Sequence, residues 1–422
     1  VDFATFFPRL DRRVCAVSEL MHGLPAELVA LTLQIFGARN GEWPDGFTPP
    51  PPCRCRYNSE GGMSEAFENW MGAMMGCVLS PDRAKLVLDS LLRAIRVHVR
   101  GFRLWGMEEA TDDEYWAFIR SLAFADDLAC TFDSVADLRR AWALIVTWTE
   151  LAGCKLGHKP LKVERLGGKE VLTGNKTVVT GVWYDAKGQP HSVEDPKLTD
   201  GRGKRVAFLP HDGAYKHLGM WRRADGADVA AWAAVRSGLM AAIARVRRMR
   251  SKSAADVITV TEGLFRGLAG AVAESVVVTW EMAEEVEAAW RRMACRKLGV
   301  ATDSPRVMWY AGGGLEGRPP RTHLWEMTSA ALVAGFSRVL QDPEHTNQRA
   351  VAESSLALAC RRWGCRGDPA TWRWEAVEAA VEEEQRKAEV RHVADAFIML
   401  RARAERMGRE AAAEEEEESG RR

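Results

Sequence analysis

Residues 121–130 read SLAFADDLAC. Apolar residues alternate and cluster on either side of Ala125-Asp126-Asp127, the pattern of two short strands joined by a tight turn. Adjacent aspartates at a strand tip repel, so one carboxyl keeps its proton or the pair shares a cation. Asp is also a common turn residue, and the residues alone leave both a plain hairpin and a metal-binding tip open. A divalent cation needs a further carboxylate from another strand. Mg²⁺ prefers oxygen ligands, usually one or two carboxylates plus substrate phosphates. Asp2 is the candidate. It opens VDFATFF (residues 1–7), which reads as a buried strand ended by Pro8, though a frayed terminal residue is the plainer reading of Asp2 taken alone.

Outward from the hairpin, helical spacing marks Leu10, Val14, Val17 and Met21, then Leu28, Leu31 and Ile35, as two inward faces. Residues 81–99 form a longer helix with Leu86, Leu88, Leu91, Leu92 and Ile95 apolar. Val135, Leu138, Trp142, Ile145 and Trp148 mark another over 134–151. Residues 178–193 read as a hairpin turning at 185–189. Beyond Trp221 strand signals fade, and helices are predicted at 229–250, 254–268, 283–298 and 327–340. A mixed half thus precedes a helical half, with the boundary near residues 220–226.

At 422 residues the chain is long enough for two or three domains, with 47% apolar and 27% charged residues, as in ordinary globular proteins. The net charge of zero hides polarity. Residues 202–252 carry twelve Lys/Arg against three Asp, a local +9, balanced by later Glu-rich stretches that end at 414–418. Such an acidic block reads as a solvated tail. The nine cysteines lack paired zinc-ligand spacing, so reduced thiols in an intracellular protein are expected. No apolar run reaches 18 residues and no signal peptide is visible. The first residue is Val1, not Met, so the chain is expected to start inside a longer one.

Several segments, in order, are similar to the reverse transcriptases of non-LTR (LINE-type) retrotransposons. VDFATFFPRLDR resembles their first catalytic motif, an Asp followed five residues later by an aromatic, here Asp2 and Phe7. GCVLSPDRAKLVLDSLLRAI (76–95) resembles the glycine loop and its helix, and LAFADD the catalytic hairpin. Residues 151–156 (LAGCKL) resemble the motif that follows, and 215–219 (YKHLG) the primer grip. Residues 289–299, with GGGLE at 312–316, resemble the helical thumb. The resemblance covers roughly residues 1–340.

It implies an α+β fold, a right-hand polymerase palm with an antiparallel sheet and helices on one face, followed by an α-helical thumb. The implied domains are a palm with partial fingers at 1–192, a primer-grip region at 193–222, the thumb at 223–345, and a helical extension with an acidic disordered tail at 346–422. The implied activity is RNA-directed DNA synthesis with two Mg²⁺ ions, or Mn²⁺. Asp2, Asp126 and Asp127 would be the catalytic carboxylates, and the Phe3 carbonyl a further metal ligand. Phe7, Gly76, Phe124 and Lys159 would meet the nucleotide. Tyr215, Lys216, Leu218 and Gly219, with Arg245, Arg247 and Arg248, would hold primer and template. The partners implied are an RNA template, a DNA primer and dNTPs, in the nucleus or cytoplasm and without a membrane. Oligomeric state is left open.

Three departures stand beside the resemblance. Met74-Met75 replace the family's Arg-Gln, Gly157-His-Lys-Pro160-Leu161 replaces Asn-x-x-Lys-Thr, and Glu316 alters the thumb motif. The family's fingers lie N-terminal to the first catalytic Asp, so residues 1–422 alone are expected to give no measurable primer extension. The alternative function is a catalytically inactive, reverse-transcriptase-like module that binds RNA.

Overall fold

The computed structural model describes residues 1–4, 6–36, 53–56, 58–59, 62–69, 72, 79–104, 118–124, 126–166, 168–174, 176–250, 253–301, 307–310, 322–342, 346–362 and 398. The fold is α+β with small sheets. Two compact units make it up. One is drawn from Val1–Arg103, Ala110–Lys162 and Thr173–His211, the other from Leu104–Glu109, Val163–Leu172 and Asp212–Arg422.

In the first unit the Ser80–His98 and Val135–Leu151 helices supply nearly half of the core. Pro81 suits the first turn of the former, where its missing N–H costs nothing. Ser134 caps the latter, accepting from Asp137 N at 3.1 Å. Val87, Leu91 and Ile95 recur at helical spacing and are fully buried with Ala141, Ile145 and Leu128. The two tryptophans of the second helix are core residues whose indole N–H groups find acceptors. Trp148 donates to Ser90 Oγ at 3.0 Å and Trp142 to the Thr199 carbonyl at 2.6 Å.

Two expectations change here. VDFATFF is not a strand through Phe7: Asp2 and Phe3 each make one β-bridge, and Phe6–Arg9 is a helical turn. The face expected at Leu10, Val14, Val17 and Met21 is inward only in part: Leu10 is fully buried and Val14 packs against the core, but the Arg12–Met21 helix otherwise turns differently. Its buried residues are Arg12, Cys15, Ala16, Ser18 and Glu19, while Val17 and Met21 are 50% and 76% exposed. The polar face goes inward because partners await it. Arg12 donates to the Gly72 carbonyl at 3.0 Å, and Glu19 forms a buried ion pair with Arg83. Buried charges are tolerated only with such pairing. In Ala26–Phe36, likewise, Val29 and Leu33 are buried while Leu28 and Leu31 are exposed.

His22 closes the Arg12–Met21 helix and ties it to the Ser80–His98 helix. Nδ1 lies 2.7 Å from the Ser18 carbonyl and Nε2 2.7 Å from Asp89 Oδ2. Both ring nitrogens face acceptors, so the doubly protonated ring fits best.

The strands Met220–Arg223, Ala214–His217, Lys169–Gly174 and Lys162–Leu166 form one sheet in that order. The helices Val229–Arg248, Ala254–Ala273 and Trp280–Leu298 pack around Trp290, which is fully buried and donates to Thr261 Oγ1 at 3.1 Å. Val229–Arg248 is long and apolar enough to cross a membrane by length and composition, but Trp232, Leu239, Ile243 and Val246 lie in this core. Glu287, also fully buried, joins three elements. It accepts from Tyr310 Oη at 2.9 Å and from Leu324 N at 2.8 Å, at the start of the Leu324–Gln341 helix. A carboxylate there meets unpaired N–H groups and the positive helix end together. The last described helix is Thr346–Arg362; the acidic tail lies outside the described residues.

Glu287→Ala is expected to cost roughly 2–4 kcal/mol by chemical denaturation, because it strands two buried donors. Glu287→Gln, which keeps one acceptor, should cost less. The hydrogen bond to Asp89, then that to Ser18, raises the His22 pKa above 6.5. Its stabilising contribution is therefore complete below the ordinary value and lost as pH rises through the raised one. Melting temperature should fall across that interval in the wild type, and a His22→Gln variant should show a smaller fall.

Candidate functional site

The hairpin expected at 121–130 forms with Phe124 opposite Asp127, and Asp126 occupies the turn. Asp2 makes an antiparallel bridge to Asp127. Residues directly opposite in an antiparallel pair project to the same face, with Cβ atoms roughly 4.5–5.5 Å apart. Asp2 and Asp127 therefore share a face of the first unit. Phe3, next along the chain, points the other way and is 1% exposed in the core.

Main-chain bonds carry the pairing further. Leu128 N donates to Val1 O at 3.0 Å, Ala4 N to Lys155 O at 2.7 Å, Gly157 N to Asp2 O at 2.7 Å and Thr177 N to Gly157 O at 3.0 Å. Thr177 Oγ1 also donates to Asp2 O at 3.1 Å and accepts from Asp2 N at 3.2 Å. Residue 2 is thus held from both sides.

The Asp2 carboxylate faces a cation. Lys176 Nζ lies 2.5 Å from Oδ2, with side chains 32% and 16% exposed. That oxygen is buried and receives no directed hydrogen bond, so the ammonium charge is what offsets it. Gly157 makes room for the pair. A Cβ there would collide with Asp2 Oδ2 and stand 3.2 Å from Lys176 Cδ. Asp126 responds to the same crowding. Burial first, and then the charges of Asp127 and Asp2, push its pKa above the ordinary carboxylate value, with Lys176 pulling the other way.

These donors suit a hard divalent ion in chemistry: carboxylate oxygens, one of them buried without a hydrogen bond, beside a carboxyl that resists ionisation. Among the described residues, however, no group of three or more His, Cys, Asp or Glu is gathered as a metal ion would gather it. Lys176 supplies the positive charge in contact with Asp2 Oδ2, and the Val1 ammonium also acts on Asp2 and Asp127. Asp2, Asp126 and Asp127 would hold metal ions, with the Phe3 carbonyl nearby in sequence.

Phe7 is half-buried, edge-on to Phe6 at 5.6 Å, and lines an open cavity of about 760 Å³ with Ala84, Leu88, Leu92 and Ala123. Lys159 is exposed in the segment after Leu156. Phe124 is placed in its strand, but its side chain lies outside the described residues, as do Gly76, Met74, Met75 and residues 312–316. Lys176 was missed by sequence reasoning. Its only signal was a lysine next to a hydroxyl in Lys176-Thr177, with nothing in the chain order to tie it to Asp2.

In the second unit, residues 215–219 form a tight hairpin. Tyr215 pairs with Arg222, Lys216 with Trp221 and His217 with Met220, leaving Leu218 and Gly219 as the connection. Both have positive φ, 48° and 81°, as a two-residue turn matched to strand twist requires. For Leu218, 49% exposed, that conformation is strained. Lys216 is exposed, and burial raises the Tyr215 pKa. Arg245, Arg247 and Arg248 are exposed in the last turn of Val229–Arg248. Lys297 Nζ, not one of these arginines, takes the Met249 carbonyl at 2.6 Å. No ion pair to a carboxylate involves the three among the described residues.

The chain matches no protein-family model, and no curated protein matches it.

Ionised Asp126 carries a penalty in the folded state above its raised pKa, and none below 3.8. Asp126→Asn should therefore raise the melting temperature at pH 7.5 in EDTA, and the gain should vanish near pH 3.5.

Proposed function

We propose that the protein is an RNA-directed DNA polymerase of the non-LTR retroelement type, transferring nucleotides to a primer 3′-hydroxyl at Asp2, Asp126 and Asp127. The observation that supports this reading is the bridge of Asp2 to Asp127 beside the turn that carries Asp126. Distant segments meet there with their carboxylates on one face, an arrangement that core packing does not need.

When bound, two Mg²⁺ ions, or Mn²⁺, supply activation of the primer hydroxyl and stabilisation of the leaving pyrophosphate oxygens. The chain's own residues bind and orient. Asp2, bridged to the hairpin, and Asp127 would hold the cations, and the Phe3 carbonyl would add an oxygen. Asp126 would complete the set from the turn. Phe7 lies under the sugar, where its ring excludes a 2′-hydroxyl. Gly76, Phe124 and Lys159 adjoin the nucleotide. The hairpin of Tyr215, Lys216, Leu218 and Gly219 grips the primer. Arg245, Arg247 and Arg248 take phosphates of the template–primer duplex, which gives affinity without sequence preference. In this reading the palm spans 1–192, the primer grip 193–222, the thumb 223–345 and the extension 346–422. The setting is nuclear or cytoplasmic.

A second reading, a reverse-transcriptase-like module that binds RNA without catalysis, is favoured by one observation: Lys176 sits on Asp2 where a metal would be needed.

The test is extension of a DNA primer on an RNA template with dNTPs and Mg²⁺, by this chain and by a longer one with residues upstream of Val1. The expected outcome is extension by the longer chain, reduced by about 10²-fold or more by Asp126→Asn, and none by residues 1–422 alone. Binding of the hybrid should weaken with salt, at a log–log slope of about −0.9 per phosphate neutralised on B-form DNA and of similar order on the hybrid. Replacing Arg245, Arg247 and Arg248 by Gln should flatten that slope. Hybrid binding without extension by either chain would establish the second reading.

A further inference from the structure

We infer that Lys176 is a built-in occupant of the cation position at Asp2, so that a divalent ion binds there only when the ammonium withdraws. The inference rests on the reading of Asp2, Asp126 and Asp127 as the metal-binding set.

Three features of the structure carry it. The first is position. Nζ lies 2.5 Å from Asp2 Oδ2, an oxygen that is buried and has no directed hydrogen bond, so the lysine stands where a metal–oxygen contact would form. An ammonium and a divalent ion cannot share that oxygen without strong repulsion. The second is how the lysine is mounted. Its neighbour Thr177 is bonded to both main-chain groups of Asp2 and to the Gly157 carbonyl, so the backbone at 176–177 is fixed. The side chain is not fixed in the same way. Its stem crosses bare Gly157, and it is 32% exposed, so a flexible four-carbon chain can swing to solvent while its anchor stays. The third is charge. Asp127 bridges to Asp2 and Asp126 precedes it in the turn, so three carboxyl groups meet in one place, and Lys176 is paired with one of them.

The consequence is competition. With Lys176 in place the site attracts a divalent ion less, because one of its carboxylates is already neutralised. Mg²⁺ and Mn²⁺ must also lose water to bind, which makes the contest sensitive to a single charge.

The experiment is a Mn²⁺ titration of the full chain, read by the electron paramagnetic resonance signal of free Mn²⁺, without nucleotide or primer. The variants are Lys176→Met, which keeps the stem over Gly157, Lys176→Ala, and Lys176→Arg. Met and Ala should each bind Mn²⁺ about tenfold more tightly than wild type. Arg, still cationic, should match wild type. Adding Asp126→Asn to Lys176→Met should remove the gain, which ties the ion to this site. Unchanged circular dichroism identifies the variants that fold. Equal Mn²⁺ affinity in wild type and in a folded Met or Ala variant overturns the inference, and so does a gain that persists with Asp126→Asn. Tighter Mn²⁺ binding here, with no primer extension by the longer chain, would keep the inference and sink the polymerase reading. Extension with unchanged Mn²⁺ affinity would do the reverse.

Discussion

Phe3 is 1% exposed, its ring 5.4 Å from those of Phe6 and Trp148, and the arrangement around the aspartates follows from that burial. Removing a phenylalanine side chain from water contributes about 1.5–3 kcal/mol, enough to decide which way a short extended segment faces. Successive residues in such a segment point to opposite sides. With Phe3 committed to the core under the Val135–Leu151 helix, Asp2 is turned to the other side, where it meets Asp127. The bridge from Phe3 to Leu156 and the bond from Gly157 N to the Asp2 carbonyl hold the register. A slip by one residue would bury the carboxylate and expose the ring.

That register concentrates negative charge, and the local structure manages it by two means. Burial in the turn pushes the Asp126 pKa above the ordinary carboxylate value, and Asp2 takes the Lys176 ammonium. The glycine at 157 belongs to the same solution, since any side chain there would displace the Asp2 carboxylate or the lysine stem. A residue without a side chain is thereby part of an electrostatic arrangement. The polymerase reading and the lysine contact bear on the same oxygen of Asp2, which is why metal binding and lysine placement have to be considered together.

The helical unit depends on a different balance. Trp290 and its neighbours supply apolar burial, but Glu287 sits among them with no exposure at all. It is tolerated because Tyr310 and the first N–H of the Leu324–Gln341 helix both donate to it. His323 extends this polar seam, stacking on Trp280 at 4.4 Å and capping the same helix through Trp325 N. A buried carboxylate so placed specifies where one helix starts relative to another, which uniform apolar packing does less sharply.

Local pattern was enough for much of this protein. The hairpin at 121–130, the Ser80–His98 and Val135–Leu151 helices and the helical second half were legible because each depends on spacing between near neighbours. The tight turn of YKHLG was not resolved in advance, since Leu218 at positive φ contradicts its own preference. The inward faces of the first two helices were misread in part, for a related reason. Apolar spacing pointed to Val17, Met21, Leu28 and Leu31, but the Arg12–Met21 helix buries Arg12 and Glu19, whose partners Gly72 and Arg83 lie far along the chain. Of the candidate site, the aspartates were visible as residues, and the sequence by itself determined that they sit at a strand tip and at a segment start. Only the tertiary structure decided that Asp2 lies opposite Asp127 and that Lys176 pairs with Asp2. Each contact joins residues more than a hundred positions apart, and chain order carries no record of which distant charge folding will bring within a few ångström.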